Sequence, residues 1–181
     1  MSSKNGRTHW KMDERLKKQV VAAAFAAITC VATMVIKVPT LGTNGYVNIG
    51  DSTVLLSAWL LGNPYGALAA GIGSALADLL SGYASYVPGT AVIKFFMAFV
   101  CSILYRVIKE KKVPQIIAYI ISAVVAELIM AGGYFIYEAT LLGYGFAAAA
   151  SIISNLIQAG ICIVIGIALV FSLSPVYRKL M

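Results

Sequence analysis

A chain of 181 residues that is 60% hydrophobic and 12% charged, with mean hydropathy +0.87, falls outside the range of ordinary soluble domains. Its net charge of +7 is not a nucleic-acid footprint, because the basic residues gather in a few short stretches between apolar runs. The length suits one domain of about six membrane helices at ~20 residues each, with no room for a second, soluble domain.

In chain order, residues 1–16 form a basic, polar tail and residues 17–181 the transmembrane domain. The run after Lys18 is too long for the apolar core of a cleavable leader and no small-residue cleavage site follows it, so it is expected to stay as a signal anchor. The first helix is expected from Lys17 to Lys37, with Lys37 reaching back to the interface along its aliphatic stem. Pro39, Gly42, Asn44 and Gly45 mark a loop. A short second helix covers Asn48 to Leu61, and Gly62-Asn63-Pro64 turns the chain into a third, Tyr65 to Leu80. Ser81 to Gly89 read as a loop rich in Tyr and Gly. The fourth helix covers Thr90 to Ile108, a basic loop ends at Pro114, and the fifth covers Gln115 to Tyr137. Glu138 to Gly145 read as a loop and Phe146 to Leu173 as the sixth helix. The architecture is all-α, a compact six-helix membrane bundle.

Six spans put both termini on one side. Lys4, Arg7, Lys11, Arg15, Lys17 and Lys18 in the tail, Arg106, Lys109, Lys111 and Lys112 in one loop, and Arg178 and Lys179 at the end all fall there. The excess of Lys and Arg makes that side cytoplasmic, leaving the loops at 38–47, 81–89 and 138–145 outside.

Glu127 lies near the middle of the apolar run from Pro114 to Glu138. An ionisable group at membrane depth costs a few kcal/mol or more and faces a cavity or a partner. Ala131, Tyr134 and Glu138 follow it on one helical face, a polar path toward the outer loop. On the sixth helix Ser151, Ser154, Asn155 and Gln158 share a face at i, i+3, i+4 and i+7. The two stripes are expected to face one another around a small-molecule site, or to hydrogen-bond to each other as a purely structural seam. Lys94, one turn inside the fourth helix, reaches the interface, pairs with an acid or meets a ligand. Asp51 either pairs with Lys37 or Lys94 or supports the start of its helix, and Asp78 caps the adjacent loop; ligand contact stays open for both. Ala22, Ala23, Ala26 and Ala27 make two small-xxx-small pairs on the first helix, which let another helix approach, either within the bundle or from a partner protein.

Cys30, Cys101 and Cys162 lie in apolar runs without close spacing, and the single His9 is in the tail, so neither a disulfide nor a metal site is expected. There is no phosphate-binding P-loop, no zinc-protease pair of histidines and no nucleophile elbow. The chain is therefore read as a non-enzyme without a cofactor, and any solute accumulation must draw on an ion gradient or a partner.

The segments Tyr46-Val47-Asn48-Ile49-Gly50-Asp51, Gly62-Asn63-Pro64-Tyr65-Gly66-Ala67, Gly71-Ile72-Gly73-Ser74-Ala75-Leu76-Ala77-Asp78, Ser81-Gly82-Tyr83 and Tyr86-Val87-Pro88-Gly89-Thr90, leading to Ile93-Lys94, resemble the substrate-binding S components of energy-coupling-factor (ECF) vitamin transporters. The riboflavin-transporter-like subfamily, with its hydroxymethylpyrimidine-type carriers, looks most similar. The resemblance spans residues 17–173, most specifically 46–97. It implies a prokaryotic plasma-membrane subunit that captures a vitamin from outside and docks through Ala22, Ala23, Ala26 and Ala27 on a transmembrane coupling subunit. Two ATP-binding-cassette ATPases would use the ATP. It places the site at Lys94, Glu127, Tyr134, Asn155 and Gln158, under a lid at Pro39–Tyr46. A pyrimidine or pyridine vitamin precursor suits these side chains better than riboflavin, which needs more room. Two other readings remain open: an autonomous ion-coupled carrier with Glu127 as its proton site, and a membrane scaffold without a small ligand.

Overall fold

The computed structural model describes residues 13–180, so the tail cluster of Lys4, Arg7, His9 and Lys11 lies outside the described residues. Six helices make up nearly all of it: α1 (Glu14–Val35), α2 (Asp51–Leu60), α3 (Tyr65–Leu80), α4 (Val87–Glu110), α5 (Gln115–Thr140) and α6 (Ala149–Leu180). Two three-residue strands, β1 (Lys37–Pro39) and β2 (Tyr46–Asn48), pair antiparallel with Val38 opposite Val47.

Four helices, α1, α4, α5 and α6, are long and apolar enough to cross a membrane, and α3 is a shorter apolar helix. The second helix departs from expectation. At 10 residues it rises only about 15 Å, half a bilayer core. Its N-terminal half-turn was expected to be helical from Asn48, but Asn48 pairs in the hairpin instead. Asp51 to Trp59 are all buried, and α2 packs against every other helix, so it forms the axis of the bundle rather than a wall. Its Ser and Thr hydroxyls bond back to the local backbone, as Ser57 does in donating to the Val54 carbonyl at 2.8 Å, while Asp51 and Trp59 find partners on other helices.

Around this axis α1 packs on α3, α3 on α4, α4 on α5 and α5 on α6, and strand β2 touches both α1 and α6. Small residues set the spacing. A Cβ on Gly73 would lie 2.4 Å from the Ala26 carbonyl oxygen, so α1 and α3 touch backbone to backbone. Val54, Leu55, Met97, Ala123 and Met130 fill the centre. Large apolar side chains such as Ile28, Phe96, Leu128, Ile157 and Val164 point outward from the long helices, the inverse of a soluble surface and the right finish for lipid contact. Cys30, Cys101 and Cys162 are free and buried, and among the described residues no group of His, Cys, Asp and Glu is arranged to hold a metal.

The helix ends differ from the sequence reading in ways that packing explains. Asp13 caps α1 by accepting from the Arg15 amide at 3.3 Å, which starts the helix three residues before Lys17. Helix α5 continues past Tyr137 to Thr140, because Glu138 is held inside by hydroxyl groups. Helix α6 runs through Pro175 to Leu180. Tyr177 and Arg178, beyond the proline, line a hollow with Trp59, Tyr105 and Tyr119.

The connections sort to two ends. At one end lie the hairpin, the start of α2, the end of α3, the start of α4, the end of α5 and the start of α6. At the other lie the 61–64 turn, the basic loop at 111–114 and the end of α6.

Candidate functional site

The hairpin end encloses a cavity. Its walls are Thr33 from α1, Ser74 and Asp78 from α3, Thr90 and Lys94 from α4, Tyr134 and Glu138 from α5, and Asn155 and Gln158 from α6. Thr40, Gly45, Tyr46, Asn48 and Tyr86 complete it from the loops and hairpin. The free space is about 20 Å³, room for one water, whereas a cavity that takes benzene measures roughly 150 Å³. A heterocycle therefore enters only when part of the wall moves, and the hairpin is the part not built into a long helix.

The floor is an ion pair locked into a polar chain. Lys94 donates to Asp51, with 2% and 1% of the two residues exposed. The Gln158 amide donates to the other Asp51 oxygen at 2.5 Å and accepts from the Asn48 backbone N–H at 2.5 Å. The Asn48 side chain in turn accepts from the Gly50 amide at 2.7 Å. One chain of donors thus ties α4, α2, α6 and the hairpin together. Such a pair is costly to desolvate, so its worth depends on the further bonds around it, here those that Gln158 makes to Asp51 and to the hairpin. The Lys94 ammonium also sits 5.3 Å from the centre of the Tyr134 ring, and the Tyr134 hydroxyl shares a 2.9 Å hydrogen bond with Thr90.

Two carboxylates hold the hairpin. Tyr46 donates to Asp78 at 2.5 Å. Burial, then that hydrogen bond, raises the Tyr46 hydroxyl above its ordinary pKa, so it stays a neutral donor. Glu138 receives Thr43 at 2.9 Å and Tyr86 at 3.0 Å on one oxygen, and Ser151 at 2.5 Å on the other. Because Thr43 spends its single hydrogen on Glu138, Thr40 is the donor in their 2.8 Å contact. A Cβ on Gly45 would lie 3.0 Å from the Glu138 carboxylate and 3.1 Å from the Tyr86 hydroxyl, so glycine lets the loop backbone settle onto the site. Tyr46 also packs on Tyr83 at 4.5 Å between ring centres.

Of the residues singled out from sequence, Lys94, Tyr134, Asn155 and Gln158 stand on the cavity wall. Glu127 does not. It lies deeper in α5, 2% exposed, and neither of its oxygens has a hydrogen-bond partner. Asp51 and Lys94 are the charges that act on it. Asp51 takes the Lys94 partnership rather than that of Lys37, which donates to Ser81 at 3.0 Å. Asp78 lines the cavity. Ser154 is off this wall, half-buried in a separate hollow between α6 and the hairpin beside Val38, Val47 and Ile157. The alanine strip divides: Ala22 and Ala26 are half-buried against the core, while Ala23 and Ala27 are exposed.

Sequence reasoning missed Tyr86, Thr90 and Ser74 as wall residues. It had Glu138 on the polar face of Glu127 and Tyr134, and Tyr46 at the edge of the lid, without assigning either to the site. A signal existed for Ser74, which is one turn before Asp78.

Fold and site together define a small polytopic membrane protein with an enclosed polar cavity at one end of an apolar bundle. Residues 14–175 match the family described as the S component of the ECF-type riboflavin transporter, and the chain belongs to that family. An uncharacterised protein of Pyrococcus woesei is 32% identical over 136 residues, covering 75% of this chain and 87% of that protein. The solved S component of a bacterial ECF transporter superposes with a TM-score of 0.66 at 20% identity, covering 90% of this chain and 98% of that one, which establishes the shared fold.

Proposed function

We propose that the chain is the substrate-capturing subunit of a vitamin importer. It would bind a small vitamin or vitamin precursor at the hairpin end and deliver it through a transmembrane coupling subunit driven by two ATPases. The observation that carries this reading is the cavity itself: a polar chamber walled by five helices and closed by a hairpin that hangs on two carboxylates. A compact pyrimidine or pyridine ring suits this chamber better than riboflavin. Lys94, Tyr134, Asn155 and Gln158 would contact it, with Glu127 beneath them. The hairpin end faces outward and both termini face the cytoplasm of a prokaryotic cell, in keeping with the basic residues at the opposite end. Ala23 and Ala27, with Ala22 and Ala26 at the edge of the strip, would dock on the coupling subunit.

The test is reconstitution in two forms. The chain alone in liposomes should bind ligand without concentrating it. Accumulation should appear only with the coupling subunit, the ATPases and ATP. ATP-independent accumulation by the chain alone would sink this reading. The unpartnered carboxylate of Glu127 is the one observation that favours an ion-coupled carrier instead. That reading requires pH-driven flux by the isolated chain, lost in Glu127→Gln.

A further inference from the structure

Charge around the cavity is one-sided. Asp78 and Glu138 stand in its wall, 4% and 2% exposed, and Asp51 and Glu127 lie at and below its floor. The one ammonium in the wall, Lys94, is already bound to Asp51. Lys37, the other ammonium at this end among the described residues, is exposed at the rim and donates to Ser81. The partners of Asp78 and Glu138 are hydroxyls: Tyr46 on the first, Thr43, Tyr86 and Ser151 on the second. Hydroxyl donors satisfy lone pairs but bring no opposite charge, and a buried carboxylate is stabilised most by a cation. Two of the four donors, Thr43 and Tyr46, belong to the hairpin, so they leave the carboxylates when the hairpin lifts to admit a ligand.

A second feature points into the same chamber. Ser74, 2% exposed and one turn before Asp78 on α3, lines the cavity with a hydroxyl that has no hydrogen-bond partner. It is an orphaned polar group beside Asp78, able to accept from a second donor on whatever Asp78 holds. The chamber therefore offers acceptors in excess. A carboxylate or phosphate on the ligand would meet Asp78 and Glu138 at close range, where like charges repel strongly in a medium of low dielectric.

We propose that the ligand of this cavity is a compact organic cation, a heterocycle bearing a protonated amine or a cationic ring nitrogen, seated against Asp78 and Glu138, and that acidic vitamins are rejected. The inference rests on the substrate-capture reading above and narrows it to one charge class. Thr43 and Tyr46 hold the two carboxylates until the cation takes their place. Asn155 and Ser74 supply neutral contacts, and Tyr134 with Tyr86 the aromatic walls.

The experiment uses the full chain in mild detergent, purified from cells grown in rich medium. Small molecules released on denaturation are identified by mass spectrometry. In parallel, thermal shift and calorimetry compare thiamin and pyridoxamine with pyridoxine and riboflavin, and with nicotinate and pantothenate. The expected result is a stoichiometric molecule with an amine or cationic ring and no acid group, or a cation-selective shift within the panel. Asp78→Asn and Glu138→Gln should each weaken its binding tenfold or more while eluting as monodisperse protein. A bound neutral flavin, a bound acid, or undiminished cation binding in both variants overturns the charge inference and leaves substrate capture standing. A preparation that carries no small molecule and responds to none of the six compounds overturns both.

Discussion

Toward the hairpin end Asp51, Asp78 and Glu138, with Glu127 deeper in α5, are each 4% exposed or less, whereas at the opposite end Arg106, Lys109, Lys111, Lys112 and Arg178 all stand in the open. Both ends also gather tyrosines, but to different purposes. At the basic end Tyr105 and Tyr119 stack in parallel at 4.8 Å and are tied by Gln115, which donates to Tyr119 at 2.7 Å. There the aromatic rings pack and the charges are solvated. At the acidic end the hydroxyls of Tyr46, Tyr86 and Tyr134 are spent on Asp78, Glu138 and Thr90, and the charges are the structure. The lesson is that a count of charges says which way a membrane protein sits, while their burial says where it does its work.

The contrast makes unequal forecasts for the two ends. The largest effect is expected at Lys94. Lys94→Met removes the cation from a buried Asp51, a loss of about 3–5 kcal/mol, and should abolish monodisperse protein in detergent. Adding Asp51→Asn to it should restore much of the melting temperature, since the orphaned charge goes with it; a double variant no better than the single one would show that the pair does not act as a unit. Glu127→Gln should cost far less, about 1 kcal/mol or under in either direction, because its oxygens have no hydrogen-bond partner to lose, and ligand affinity should stay within about twofold because the residue is off the wall. A loss comparable to that of Lys94→Met would place Glu127 in the ion network after all. The smallest effect belongs to the basic end, where Lys109→Ala and Arg178→Ala should each shift stability by no more than about 0.5 kcal/mol. A larger drop in thermal unfolding would mean that these exposed cations carry structure as the acids do.

Much of this was legible in the chain. The long apolar runs announce α1, α4, α5 and α6, because lipid imposes length and hydropathy on anything that spans it. The polar stripe on α6 located Asn155 and Gln158 correctly on an inward face. The hairpin was not legible. Its strands are three residues each and hold Pro39, with Gly42, Asn44 and Gly45 between them, which is the composition of an open loop. The pairing exists because Tyr46 and Thr43 reach carboxylates on α3 and α5, a tertiary cause that local sequence does not display. Glu138 was misplaced for the same reason. An acid at the end of an apolar run looks like the first solvated residue, and it is kept inside by Thr43, Tyr86 and Ser151, which are distant from it in the sequence or lie beyond the next turn. Glu127 shows the reverse error. Depth made it conspicuous, yet depth alone does not put a side chain on a cavity wall.

One continuous stretch, Thr40 to Asp51, contains both the roof and the floor of the chamber. Thr43 and Tyr46 hang the roof on Glu138 and Asp78, the backbone of Asn48 is pinned to Gln158, and three residues later Asp51 grips Lys94. The stretch then runs without a break into α2, the short helix at the axis of the bundle. Roof and floor are thus two points on one short length of chain that continues into the axis of the bundle. A displacement of the hairpin is therefore handed directly to α2, whose 10 residues end about 15 Å further in.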